Sequence, residues 1–285
     1  MAIMYPEVWF IEEHTKNARY SLKIKKQLYS GKSKFQQIDV YETFEFGKLL
    51  TLDGYIMTTE RDEFVYHEMI THVPSFSHPN PKKALIIGGG DGGTLRELVK
   101  HPTFDEIIMC EIDEKVVEIS KKYLPTLSTA LNGKDERVKL VFDDGVKFIK
   151  NYKGYFDVII VDSTDPIGPG EVLFSVDFYK LVFDALKEEG IMTNQTENPW
   201  YDAHLLKGIA QRMREVFPMV KFYNAFIPSY PSGMWTFGFA SKIIDPEKPM
   251  GISRFNDSFN TNYYTPDVHT AAFKLPVFQK KLVEG

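Results

Sequence analysis

The run "ALIIGGGDGGTLREL", residues 84–98, constrains the fold more than any other stretch. An apolar segment that breaks into glycines and re-emerges as a helix former describes a buried strand turning sharply onto a helix. Gly88, Gly90 and Gly93 satisfy G-x-G-x-x-G, and Glu111 ends the next apolar run about 20 residues on. Such a loop holds an adenine nucleotide, and the aspartate at its centre bears on which one. Asp91 beside the anionic pyrophosphate of a dinucleotide would meet a repulsion of roughly 1–4 kcal/mol. An S-adenosyl sulfonium nucleotide has no phosphate and is positively charged, so it suits the same loop, with Glu111 as the ribose ligand. The alternatives are a helix N-cap for Asp91 and a solvated strand end for Glu111.

Two textures flank the loop. Up to about residue 60, short β-rich runs ("YSLKIKKQLYS", "FQQIDVYETFE", "KLLTLDGYIMTT") are broken by Gly31, Gly47 and the hairpin signal Asp53-Gly54. A helix is expected over "DEFVYHEMITHVPSF". From Ala84 onward, apolar strands alternate with amphipathic helices, the last two strands being "VKFYNAF" and "WTFGFAS". That pattern predicts an α/β fold, a parallel sheet covered on both faces, preceded by a small antiparallel unit. Ligands in such sheets sit at the carboxyl ends of the strands.

Composition narrows the partners. The chain is 43% hydrophobic and 26% charged, ordinary for a globular protein, and its net charge of −5 argues against nucleic acid or an anionic membrane surface. Cys110, the one cysteine, lies in an apolar run and reads as a buried small hydrophobe. No intrachain disulfide can form, no apolar run approaches the ~18 residues of a membrane span, and no signal-peptide core is visible. A cytoplasmic protein is expected.

Two more strand ends carry acids. In "FDDGVKF", Asp144 before Gly145 suits an acceptor for the adenine amino group, or else an N-cap for the following helix; Asp143 lies one residue deeper in the strand. In "VIIVDSTDPIGPGEVLF", Asp162 ends the strand and Asp165 follows on the same turn. Two carboxylates so close repel unless a cation lies between them. The alternative is an ordinary loop with solvated acids. "DPIGPG" is turn chemistry that could close over a substrate. Asp91, Glu111, Asp144, Asp162 and Asp165 fall on one rim, which predicts a cationic substrate as well as a cationic nucleotide.

The blocks "GGGDGG", "CEID", "DDG", "DSTDPIGP" and "YPSG", with "TERDEFVYHEM" upstream and "YYTPDVHTAAFKLP" downstream, make the chain resemble the spermidine synthases, the polyamine aminopropyltransferases, over nearly its whole length. The resemblance implies transfer of the aminopropyl group of decarboxylated S-adenosylmethionine, as co-substrate, to putrescine, giving spermidine and methylthioadenosine. It implies an N-terminal β domain over 1–62, a Rossmann-like methyltransferase-type domain over 63–285, and a homodimer or homotetramer. Asp162 then corresponds to the catalytic acid that takes the amine proton, Asp165 to a putrescine ligand and Asp91 to the holder of the aminopropyl ammonium. Glu111 matches the ribose ligand, Asp144 and Gly145 the adenine site, and Gln36, His67 and Pro169 further nucleotide contacts. Tyr66, Tyr230 and Gln195 line the diamine channel, with Trp9 at its far end. Neither a prosthetic group nor a metal is implied.

Taken alone, Tyr66 and Tyr230 would read as core or hinge aromatics, and Gln36 and Gln195 as surface polar residues. A methyltransferase would need no paired acid turn, and its cofactor carries a carboxylate that Asp91 would repel. A non-catalytic polyamine binder would not need the nucleotide loop. Agmatine, cadaverine or a longer amine stay open as acceptors.

Overall fold

The computed structural model describes residues 7–166, 168–256 and 259–284; the side chain of Pro169, one of the residues expected at the nucleotide site, lies outside the described residues.

Five antiparallel strands come first: β1 (Val8–Thr15), β2 (Ala18–Lys32), β3 (Gln37–Thr43), β4 (Lys48–Leu52) and β5 (Tyr55–Thr59), paired in sequence order. Strand β1 was not among the expected runs. Asp53 (φ 50°) and Gly54 (φ 87°) both take left-handed backbone between β4 and β5, as a type I′ hairpin requires. The period-2 pattern gives this sheet two apolar faces. Ile38, Val40, Leu50 and Leu52 pack on one side, and Phe10, Leu22, Ile24, Leu49 and Ile56 on the other.

The chain then forms α1 (Glu63–Ser77), β6 (Lys83–Gly88), α2 (Gly93–Val99), β7 (Glu106–Glu111), α3 (Glu114–Tyr123), β8 (Val138–Phe142), α4 (Gly145–Ile149) and β9 (Phe156–Asp162). It continues through α5 (Val176–Ala185), β10 (Leu186–Gln195), α6 (Ala203–Arg214), β11 (Met219–Phe226), β12 (Met234–Ser241), α7 (Pro266–Ala272) and α8 (Val277–Val283). The second sheet has the order β11-β12-β10-β9-β6-β7-β8. Strands β6 to β10 are parallel, and alternate residues feed two cores, Ile86, Met109 and Ile160 on one face, Leu85, Ile87 and Ile159 on the other.

One expectation is corrected. The sheet is not parallel throughout: β12 runs antiparallel to β10, and β11 antiparallel to β12. The link over 227–233 is too short for the dozen or more residues of a parallel crossover, so β11 and β12 close as a hairpin.

Strand order reverses between β6 and β9. At that switch point the carboxyl ends part and leave a crevice, and Gly88 and Asp162 are register partners at its floor. The N-terminal sheet covers the crevice, with Val116 and Ile119 of α3 packed among its apolar residues. Among the described residues no helix is long and apolar enough to cross a membrane.

Candidate active site

The crevice holds a cavity of about 410 Å³ lined by the glycine loop, the ends of β7 and β9 and the underside of the N-terminal sheet. A smaller cavity of about 40 Å³ continues it towards Glu12, His14, Gln195 and Trp235, and both share Tyr66, Asp165 and Tyr230 in their walls.

Next in sequence to Ser163, which lines both cavities, Asp162 lines the larger one. Its Oδ1 accepts the Tyr66 hydroxyl at 2.8 Å and its Oδ2 the Thr94 hydroxyl at 2.6 Å, while its carbonyl accepts Gly89 N–H at 2.8 Å. Burial, and then Asp91 nearby, push its carboxyl above the usual range; His67 and the two hydroxyls pull the other way.

Gly92 takes the N-cap position of α2, so Asp91, one residue earlier, is not the helix cap that was the alternative. One oxygen accepts Gly93 N–H at 2.7 Å, while the other lies 3.3 Å from His67 Nε2. His67 Nδ1 in turn meets Glu63 at 2.6 Å, and Arg96 grips both oxygens of Glu63 at 2.8 and 2.9 Å. Charges thus alternate from Arg96 through Glu63 and His67 to Asp91. Burial opposes an imidazolium, yet the acids on both sides raise the His67 pKa well above the ordinary value. The same burial pushes against ionised Asp91, and His67 still holds it low.

On the other side of the cavity, burial pushes Glu111 up to about 7, although Asp113 N–H donates to it at 2.8 Å. Gln36 reaches the cavity from the N-terminal sheet, its amide donating to Asp113 at 2.9 Å. Asp144 is a cap as well as a lining residue, accepting Val146 N–H at 2.9 Å, with Gly145 beside it in the wall. The Tyr230 hydroxyl donates to Met57 O at 2.7 Å, and its ring lies 6.1 Å from that of Tyr66. Gln195 lines the smaller cavity, its amide 3.5 Å from Asp165.

Trp9 is the exception. It lines neither cavity and is 47% exposed. The reason is strand alternation: on β1, Phe10 and Glu12 turn inward and Trp9 turns out, so the same strand reaches the cavity through Glu12 and His14 instead.

Several residues at the site were not legible beforehand. Thr94, Glu63 and Arg96 lie within the quoted blocks, yet none had been given a role. At the far end, hydrogen bonding to Asp202 (3.0 Å) and Glu12 (3.3 Å) raises His14 to about 9. Glu197 is buried with φ 78°, a conformation that costs a non-glycine residue about 1–2 kcal/mol. Burial and its neighbour Asp165 raise its carboxyl well above the usual range, while burial lifts Asp165 to about 6. A hint for Glu12 and His14 lay in the alternation of "VWFIEEHT"; nothing pointed to Glu197.

Comparison with known proteins agrees with this geometry. A spermine/spermidine synthase domain matches residues 63–248, and a spermidine synthase tetramerisation domain matches residues 8–60. The polyamine aminopropyltransferase of Shouchella clausii is 50% identical over 278 residues, 98% of this chain and 100% of that protein. That of Clostridium perfringens is 50% identical over 282 residues, 98% of this chain and 99% of that one. The crystal structure of spermidine synthase from Thermotoga maritima superposes with a TM-score of 0.91 at 46% identity, covering 97% of this chain and 94% of that one. A spermidine synthase solved with the transition-state analogue AdoDATO gives 0.92 at 46% identity, covering 97% and 95%. The chain belongs to the spermine/spermidine synthase family, the polyamine aminopropyltransferases.

Proposed function

We propose that this protein moves the aminopropyl group of decarboxylated S-adenosylmethionine onto putrescine, releasing spermidine and methylthioadenosine, with Asp162 as the general base. The observation that carries this reading is Asp162 in the wall of a nucleotide-sized cavity, bonded to Tyr66, which also lines the narrow acidic extension of that cavity.

The chemistry follows from the charges. The amine lone pair attacks the methylene bonded to sulfur. The C–S bond breaks, its electrons stay on sulfur, and the leaving group departs as a neutral thioether. The amine must first lose a proton, which for a pKa near ~10.4 costs roughly 4–5 kcal/mol at pH 7. Asp162 can take it because burial and Asp91 make its carboxylate a stronger base than a solvated one. The distal ammonium stays charged against Asp165, and the faces of Tyr66 and Tyr230 line the path of the butyl chain. A cation over such a face gains about 0.5–2 kcal/mol. Glu111 and Gln36 serve the ribose side, Asp144 and Gly145 the adenine, and Asp91, kept ionised by His67, the aminopropyl ammonium.

The reading takes residues 1–62 as an assembly domain and 63–285 as the catalytic one. Trp9 and Ile11 are exposed on the outward face of edge strand β1 and give Trp9 a better use than the channel: an apolar surface for a second copy in a homodimer or homotetramer.

Incubation with decarboxylated S-adenosylmethionine and putrescine should yield methylthioadenosine and spermidine in equal amounts. A methylated product from S-adenosylmethionine, or binding of both substrates without turnover, overturns the reading.

A further inference from the structure

Asp162 accepts one hydroxyl on each oxygen, and the less expected donor is Thr94. Thr94 is the second residue of α2 and is fully buried. Helical side chains lean towards their helix's N-terminus, which brings this hydroxyl back over the end of β9. Its single proton goes to Asp162 Oδ2 at 2.6 Å. A hydroxyl that donates to a buried carboxylate favours the ionised form.

The balance at Asp162 has two sides. Burial and Asp91 raise its proton affinity, which a base needs. Carried too far, they would leave it protonated and useless at neutral pH. Tyr66 also donates, but its ring lines both cavities and is exposed to whatever enters. Thr94 lines neither, so its bond is independent of the occupant. It also ties the acid to the helix that the glycine loop begins, while Gly89 N–H ties the backbone of Asp162 to the loop itself.

We propose that Thr94 is a positioning residue for the aminopropyl transfer, holding Asp162 ionised and in a fixed rotamer through its hydroxyl. This rests on the reading of Asp162 as the base. The other groups facing Asp162 are Tyr66 and His67 from α1, Asp91 from the glycine loop, Glu111 from β7 and Tyr230 from the turn before β12. Replacing Thr94 leaves all of them in place.

The test compares Thr94→Val, which keeps the shape and loses the hydroxyl, with Thr94→Ser, which keeps the hydroxyl. The readout is kcat between pH 5.5 and 9 with both substrates saturating. Loss of a hydrogen bond to a charged group should move the acid limb of the valine variant upward by about one pH unit, making it about tenfold slower below the limb. KM for both substrates should stay within about twofold, and the serine variant should follow the parent. A valine limb that overlays the parent's, or a serine variant that behaves like valine, overturns the proposal. Should the valine variant not fold, Thr94→Cys replaces it, keeping the size with a much weaker donor, and the same limb shift is expected. Asp162→Asn separates the two levels. If it turns over normally, the reading of Asp162 fails; if it is inactive while the Thr94 limbs stay put, only the role of Thr94 fails.

Discussion

Gly88 and Asp162 are register partners on adjacent parallel strands, and a Cβ on Gly88 would stand 2.1 Å from the carbonyl oxygen of Asp162. Gly88 also has φ +87°. The glycine loop and Asp162, the proposed base, are therefore in backbone contact, and only glycine permits it. Gly88→Ala should cost about 2 kcal/mol or more, from the left-handed strain and the clash together, and should also lower kcat by displacing Asp162. Denaturant unfolding and steady-state rates check both halves. An alanine variant of parent stability and rate would mean that the loop yields without moving the acid.

Asp162→Asn should keep nucleotide affinity and lower kcat by about 10²–10⁴, the range for a lost general base. The amide oxygen can accept one of the two hydroxyls now bonded to Asp162, and the NH2 can donate to the other once that hydroxyl turns a lone pair towards it, so the site keeps its shape while the basicity goes. Near-normal turnover would remove Asp162 from the role.

Much of this was legible because two periodicities and one loop carry it. Strands β6, β7 and β9 are apolar runs that could only be buried on both faces, and the glycines before α2 mark the sharp turn where a nucleotide is proposed to lie. Strand direction was not legible from apolarity: "VKFYNAF" and "WTFGFAS" read as parallel strands, and only the short link between them betrays the hairpin. Helices α7 and α8 are short and lean on tertiary partners, so their pattern is weak. The far end of the cavity was dark for a different reason. Glu12 lies in β1 while Glu197 and Asp202 lie in the link between β10 and α6, and only folding makes them one cluster around His14 and Asp165.

On the proposed function, that cluster should give diamine binding its pH dependence. Burial lifts Asp165 to about 6, so below that pH it is protonated and has lost its attraction for an ammonium. KM for putrescine should rise as pH falls through about 6, with kcat changing less, because the distal charge is the same in ground and transition states. Asp165→Asn should raise KM by about 10- to 100-fold near pH 8 and erase that limb. If kcat alone responds, the roles of Asp162 and Asp165 are exchanged.

His14 ties β1 to the start of α6 through Asp202, and its folded pKa of about 9 lies above the ordinary 6.5. A raised pKa stabilises the fold fully below about pH 6.5 and loses that contribution as pH climbs through 9. His14→Gln should therefore cost about 1–2 kcal/mol at pH 6 and nothing near pH 10, read as a melting-temperature gap that closes with pH. A gap that is constant with pH would assign the loss to packing against Tyr201 rather than to charge.

The aspartate in the glycine loop bears on nucleotide choice. Decarboxylated S-adenosylmethionine ends its three-carbon arm in an ammonium alone, whereas S-adenosylmethionine has a carboxylate beside it. Asp91 attracts the first and repels the second. A bare carboxylate would be worth roughly 1–4 kcal/mol in that choice. Asp91 is not bare: His67 stands 3.3 Å behind it and offsets part of its field, while Glu63 and Arg96 balance one another further out. The discrimination should thus fall at the lower end, about 1–2 kcal/mol, or roughly 5- to 30-fold in affinity. Asp91→Asn should weaken the decarboxylated nucleotide and narrow its advantage by that factor. Calorimetric titration of both nucleotides into parent and variant measures the ratio directly. A ratio unchanged by the substitution would leave Asp91 as an acceptor for Gly93 N–H and a partner for His67, and the choice of nucleotide would have to come from elsewhere in the cavity.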